Sequence, residues 1–362
     1  MDKFLIDSFL SLVRLGIGLE LFQDSGFRYQ ESVDWPAIQA LSNHQGLSAI
    51  VVDGIERLPD DVRPPKELLL QWIGALMQEE ASYAIQWKSA VEMALLMKQN
   101  GIRTYVLKGN VVAECYPKPN HRRSVDLDCF LRSEDGHSEV WEDGNKLIEK
   151  QGFEVRRDYY KNSTFLLPGL TVENHRYLTP FRGNKRLMAL ERLLQKMLRE
   201  DKGLDTFEGT ALCRPPVMVS ELFLIEHAYS HFLHEGLNWR HVLDWMMFYK
   251  SHEDEIDSAQ LNKWIDEFGF RKFYESYWRL GLYLMGDVLE DSLTKADRMM
   301  LDDVWRDLDL HETVNGVRGK LALVGNTWRA RWKYREFTDM SWFSALWIQV
   351  KGYLFTKEPK LQ

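Results

Sequence analysis

The stretch from Pro65 to Gly101 constrains the fold most. It reads PKELLLQWIGALMQEEASYAIQWKSAVEMALLMKQNG. Pro64 and Pro65 suit the first turn of a helix, and Gly101 suits its C-terminal cap. The stretch therefore predicts one long helix. Upstream, Leu5, Phe9, Leu12 and Val13 recur at helical spacing, as do Ile38, Leu41 and Leu47. Residues 1–100 read as an N-terminal helical region.

The texture changes after Gly101. Thr104 to Leu107 is a short β-prone run, Asn110 to Tyr116 a short helix, and Val125 to Leu131 a strand. A helix over 135–150 follows, then strands at Phe153–Val155, Ser163–Leu167 and Leu170–Leu178, the last two joined by a Pro168-Gly169 turn. Residues 101–180 thus form a compact mixed α/β unit. Helical periodicity returns in 181–362, with helices over Leu187–Leu198, Ser220–His234 and Asn238–Lys250, and a Trp-rich end containing Trp328, Trp332, Trp342 and Trp347. The expected class is α+β: a small mixed sheet between two α-helical regions.

Composition narrows the function. At 362 residues, with 45% hydrophobic and 28% charged residues, the chain has ordinary globular usage. Its 46 Lys and Arg stand against 54 Asp and Glu, a net charge of -8. That balance argues against a general nucleic-acid binder. Cys115, Cys129 and Cys213 are too few and too scattered for a disulfide framework. Asp7 interrupts the apolar run at the N-terminus, unlike a signal peptide. No apolar stretch approaches the ~20 residues of a membrane span, and a cytoplasmic location is expected.

The sharpest chemical signal is Asp126-Leu127-Asp128. On a strand, both carboxylates face one side while Leu127 and Cys129 face the other. Two carboxylates on a buried strand need cations. Lys or Arg side chains would serve, and so would two Mg²⁺ ions, which prefer oxygen ligands and substrate phosphates. The plainer alternative is a solvated strand end. Lys108-Gly109 follows a strand and precedes a short helix. It is either a phosphate grip, with glycine allowing close approach, or a simple strand-to-helix turn. Glu173 lies on a later strand and is either a third carboxylate or a surface residue.

Three weaker signals follow. His227, His231 and His234 share one helix face. Zinc is conceivable there, but one straight helix converges poorly on an ion, so bonding to neighbours is expected, with His231 facing the cleft. Arg240 and Asp244 have the spacing of a surface ion pair. TWRARWKYREF interleaves aromatic and basic residues and reads as a terminal helix docked on the bundle, rather than a nucleic-acid or membrane surface.

In order, these elements resemble a family. LKGNVVAECYPKPNHRRSVDLDCFL is similar to a segment of uncharacterised bacterial nucleotidyltransferases of the polymerase-β-like superfamily. Their Leu-Lys-Gly, Tyr-Pro, Arg and Asp-hydrophobic-Asp positions match Leu107, Lys108, Gly109, Tyr116, Pro117, Arg122, Asp126, Leu127 and Asp128. Their third acid, followed two residues later by His, matches Glu173 and His175. Val125 stands where the family usually has Gly, Cys129-Phe130 replaces an aliphatic pair, and Glu173 replaces Asp. Lys108-Gly109 replaces the wider superfamily's Gly-Ser.

The resemblance implies transfer of a nucleoside monophosphate from an NTP such as ATP to an acceptor hydroxyl, with two Mg²⁺ ions and release of pyrophosphate. Asp126, Asp128 and Glu173 would be the catalytic metal ligands. Lys108, Gly109, Asn110 and Arg122 would hold the nucleotide, with Arg122 turning to Asp126 when metal is absent. His175, His231 and Asp244 would be candidate substrate contacts. The alternatives are a catalytically silent, antitoxin-like binding protein of the same fold and an RNA-modifying nucleotidyltransferase. The acidic charge disfavours the latter.

Overall fold

The computed structural model describes residues 2–19, 33–135, 139–157, 160–181, 183–202, 205–306 and 330–347. The N-terminal helices are α1 (Lys3–Gly16), α2 (Trp35–His44) and α3 (Ser48–Glu56). α1 and α3 cross at two glycines. A Cβ on Gly16 would be driven into the carbonyl oxygen of Ile50, and one on Gly54 into that of Leu12. The missing side chains let the two backbones touch, and around them Phe9, Leu12, Val13, Val51, Val52 and Ile55 are wholly buried.

α4 (Lys66–Gln99) is the long helix that the sequence predicts. Its 34 residues span about 50 Å at 1.5 Å per residue. Trp72 anchors its first half, donating from Nε1 to Ser48 Oγ at 2.7 Å. Apart from Trp72, deep burial lies in the second half, where Ser89, Ala90, Met93, Ala94 and Met97 form one helical stripe.

That stripe lies under a six-stranded mixed sheet, built from β1 (Ile102–Val106), β2 (Asp126–Ser133), β3 (Val155–Arg156), β4 (Asn162–Leu167), β5 (Leu170–His175) and β6 (Leu212–Cys213). The strand order is β3-β4-β5-β2-β1-β6. β2 runs antiparallel to β1 and parallel to β5. α5 (Asn110–Ala113) follows β1, and α6 (Trp141–Lys150) follows β2. Gly144 of α6 sits against Leu131 and Met97, so Leu127, Cys129 and Leu131 face α4 and α6. Asp126 and Asp128 face the other way.

Several boundaries shift: β1 starts at Ile102, α5 stops at Ala113, β3 is Val155–Arg156, and two shifts bear on the site. Val125 is exposed ahead of β2 rather than part of it. β5 ends at His175, short of Leu178. Beyond it, the Arg176 and Tyr177 amides both donate to the Lys161 carbonyl, and the Leu178 and Thr179 amides donate to the buried Glu191 carboxylate. The ladder stops because a side chain takes over its donors.

α7 (Lys185–Glu200) leads through β6 to α8 (Val217–His234) and α9 (Trp239–Ser251), which cover the acidic side of the sheet. α10 (Ser258–Phe268), α11 (Arg271–Met285) and α12 (Lys295–Arg306) complete the bundle. In α13 (Arg331–Phe337), Tyr334 and Phe337 are buried, and Phe337 meets Phe232 at 4.9 Å. Lys333 donates to the Phe232 carbonyl at 2.7 Å and pairs with Asp303. This part of the aromatic and basic segment is docked on α8; Trp328 and Arg329 lie outside the described residues. Buried apolar residues from all three sequence regions form one continuous cluster. Among the described residues, no helix is long and apolar enough to cross a membrane.

The glycine crossing gives a stability test. Gly16→Ala and Gly54→Ala should each destabilise the chain by about 2 kcal/mol or more in urea denaturation, since the new methyl meets backbone that cannot rotate away. Parental midpoints in both variants would contradict the close crossing.

Candidate functional site

The parallel register sets Asp126 beside Thr171, Asp128 beside Glu173 and Phe130 beside His175. Asp126, Asp128, Glu173 and His175 therefore share one face. Ligand atoms of Asp128, Glu173 and His175 all lie within 4.8 Å of one another. Asp126 is one step closer to the strand start and lines a cleft between the sheet and helices α8 and α9.

Asp128 is 3% exposed and is held from two sides. His175 Nε2 lies 2.9 Å from its Oδ1, and Lys108 Nζ lies 3.1 Å from its Oδ2. The Lys108 contact falls short of hydrogen-bond geometry, so Oδ2 keeps an unused lone pair. Burial alone would raise the Asp128 value, but Lys108 and His175 outweigh it and hold the carboxyl well below the usual range. Asp126 goes the other way: burial and the neighbouring Asp128 charge raise its value. Glu173 accepts from Asn162 Nδ2 at 2.9 Å and is more open than Asp128, at 35% side-chain exposure.

His175 has acceptors at both ring nitrogens. Nε2 faces Asp128, with Glu173 at 3.7 Å, and Nδ1 faces the Tyr177 carbonyl at 3.3 Å. Burial disfavours its charge, but the two carboxylates prevail and raise its value. An imidazolium satisfies all these acceptors at once.

Lys108 is more enclosed than a surface-cleft lysine. Besides Asp128 it meets His227 Nε2 at 3.2 Å. Gly109 takes φ +69, a conformation that favours glycine, and a Cβ there would lie 3.6 Å from Arg122 Nη1. Asn110 does not line the cleft; its Nδ2 donates to the Tyr83 hydroxyl at 3.4 Å.

Arg122 pairs with neither Asp126 nor solvent. Its Nε and Nη2 donate to the two oxygens of Asp244 at 3.1 and 2.7 Å, and the Tyr116 hydroxyl adds a bond at 2.8 Å. Asp244 is thus a buried partner of Arg122 and not the surface partner of Arg240. A bidentate pair between two buried groups outcompetes a helix-surface contact. The loop before Arg122 is pinned by His121, which bridges Asp53 at 2.7 Å and Glu80 at 3.0 Å.

His231 pairs with Glu235 at 2.8 Å and is not among the cleft-lining side chains, while His227 is. His234 turns back to the Ser230 carbonyl. The third member of the histidine cluster is instead His241 of α9. Sequence reading missed Arg240 and His241 as cleft residues, because contact between helices leaves no trace in the spacing of one helix.

The donor set fits a hard cation. Asp126 carries repulsion that a cation would relieve, Asp128 Oδ2 is buried with an unused lone pair, and Glu173 is open beside them.

A family model described as an uncharacterised nucleotidyltransferase matches residues 31–286, a span that includes every residue of this site. Neither the curated proteins nor the solved structures include a match to the chain.

Two predictions follow from the charges. Without metal, Asp128→Asn should destabilise the chain by about 3 kcal/mol, because buried Lys108 and His175 lose their anion. Asp126→Asn should be neutral or stabilising, because a repelled carboxylate is removed. Equal losses in chemical denaturation would contradict this asymmetry.

The second prediction is a pH profile. Asp128 stabilises above the ordinary carboxyl value and loses that contribution as pH falls through its depressed folded value. His175 contributes fully below its ordinary value of about 6.5 and loses its contribution as pH rises through its raised folded value. Stability should therefore decline on the alkaline side of neutrality, and less steeply in Asp128→Asn. A parental profile flat through that range would remove the imidazolium.

Proposed function

The chain belongs to the uncharacterised nucleotidyltransferase family, and from that premise we propose that it moves a nucleoside monophosphate from an NTP to an acceptor hydroxyl by a polymerase-β-like mechanism. The observation that carries this reading is the β2–β5 register, which sets Asp126, Asp128 and Glu173 on one face beside a cleft. Asp126, Asp128 and Glu173 would hold Mg²⁺. The bound ions would supply a paired clamp on the attacking and leaving oxygens. The chain's own residues do the rest. Lys108 and Gly109 form the cleft edge where phosphates would lie, with Lys108 supplying a charge. Arg122, locked on Asp244, adds positive potential and shapes the Gly109 loop rather than gripping the nucleotide. His175 orients Asp128 and shares its charge. The acceptor hydroxyl attacks the α-phosphorus and gives its proton to water, the bond to the bridging oxygen breaks, and pyrophosphate leaves with that electron pair.

One observation favours a silent binding protein instead. Lys108 and His175 already neutralise Asp128, as they would in a purely structural pair. Incubation with radiolabelled NTPs and Mg²⁺, with and without cell extract, separates the readings. The parent should release pyrophosphate and label a product, and Asp126→Asn should lose at least about 100-fold in rate. Mg²⁺ plus NTP should also raise the melting temperature of the parent but not of the variant. No product with any NTP, and no thermal response, would leave the silent reading.

A further inference from the structure

The cleft wall opposite the sheet is made by α8 and α9. His227 and His231 stand one turn apart on α8, and His241 reaches across from the first turn of α9. One ring nitrogen of each lies within 4.8 Å of the others. This is the donor set of a zinc site, yet proton placement and charge both count against a cation. The Lys108 ammonium donates to Nε2 of His227 at 3.2 Å. The Asn238 amide donates to Nδ1 of His241 at 3.3 Å, which places that ring's proton on Nε2. Only His231, with Nδ1 turned to Glu235, keeps a lone pair for the cluster. Burial comes first for both rings; Lys108 and then His231 follow for His227, and His231, Arg240, Lys108 and Arg122 follow for His241, so both are held well below the ordinary imidazole value. A field that keeps these rings neutral repels a divalent cation and attracts an anion.

Arg240 is the second observation. One of its five N–H groups donates to the Arg123 carbonyl at 3.1 Å. Its buried Nε has no acceptor, and Asp244, four residues on, has both oxygens bonded to Arg122. Burial and the neighbouring Arg122 both work against its charge. A half-buried guanidinium beside a second guanidinium, with its buried Nε unpartnered, is arranged for an anion that is not part of the chain. Gly46 makes room for it. That residue has φ +68, and a Cβ there would lie 3.3 Å from Arg240 Cδ and 3.4 Å from Nε.

We propose that Arg240, His227 and His241, together with Lys108, form a seat for a polyphosphate, with Arg240 and Lys108 supplying charge and the neutral imidazoles supplying N–H donors. Its occupant would be pyrophosphate or the terminal phosphates of a nucleoside triphosphate. Naming the triphosphate rests on the nucleotidyltransferase reading above; the seat itself does not.

The test is calorimetric titration of the full chain, without metal, using tripolyphosphate, pyrophosphate, ATP and adenosine at two salt concentrations. The first three should bind, more weakly at high salt, and adenosine should not. Arg240→Gln should weaken tripolyphosphate binding at least about tenfold, and Arg240→Lys, which keeps the charge, should recover part of it. His241→Gln should also weaken it. Parental tripolyphosphate affinity in both Arg240→Gln and His241→Gln would overturn the seat. So would stoichiometric binding of Zn²⁺ alone, lost in His241→Gln, in a chain that ignores tripolyphosphate. A chain that turns over NTP without binding tripolyphosphate loses the seat and keeps the transfer reading. A chain that binds tripolyphosphate in the predicted way without turnover keeps the seat and loses the transfer.

Discussion

Asp128 is a carboxylate taken out of water, and the site is arranged around the cost of keeping it charged. An unpaired buried charge costs several kcal/mol or more. The counter-charges come from separate strands: Lys108 after β1 and His175 at the end of β5. β1, β2 and β5 must therefore pair in a single register. A slip of one residue would turn Asp128 into the apolar layer against α4 and α6 and bring Leu127 to the cleft. The support extends outward. Glu191 captures the Leu178 and Thr179 amides, and this fixes the turn whose Tyr177 carbonyl orients His175.

A second buried ion pair closes the cleft from the helical side, and it differs in kind. Arg122 and Asp244 meet through two parallel bonds with a tyrosine hydroxyl added. Such a pair has little left to offer a ligand, and breaking it would strand a buried charge. Its consequence is structural: it ties the loop after α5 to α9 and so fixes the cleft width. Lys108 and Asp128 meet through one poorly directed contact. Of the two pairs, only this one can exchange partners at modest cost.

The contrast explains what the sequence could reveal. The long helix, the α/β texture after Gly101 and the shared face of Asp126 and Asp128 were legible because periodicity encodes them. Glu173 was legible as a strand residue, and its place beside Asp128 needed only the register. Partners in the ion pairs were not legible. Asp244 lies four residues from Arg240 and 122 from Arg122, and sequence reasoning favours the nearer cation. Burial reverses that choice, because a bidentate guanidinium gains most where water is excluded. The histidine cluster failed in the same way. His-x₃-His was visible on α8, but the third ring comes from α9 through the Asn238–His241 capping box, whose local role hid its place in the cleft.

Lys108 joins the acidic side of the cleft to its histidine side. Its ammonium touches Asp128 on one side and His227 on the other. An anion that drew it away would leave Asp128 short of one counter-charge in a dry site. The move becomes cheap only if a cation takes up the freed carboxylate oxygen. Conversely, a cation arriving at Asp128 is repelled by the ammonium until an anion accepts it. Cation and anion therefore favour each other through one side chain, and linkage makes the effect equal in both directions. A site so wired would take a metal–polyphosphate pair in preference to either component, with His227 returning to an unbonded neutral ring as Lys108 leaves it.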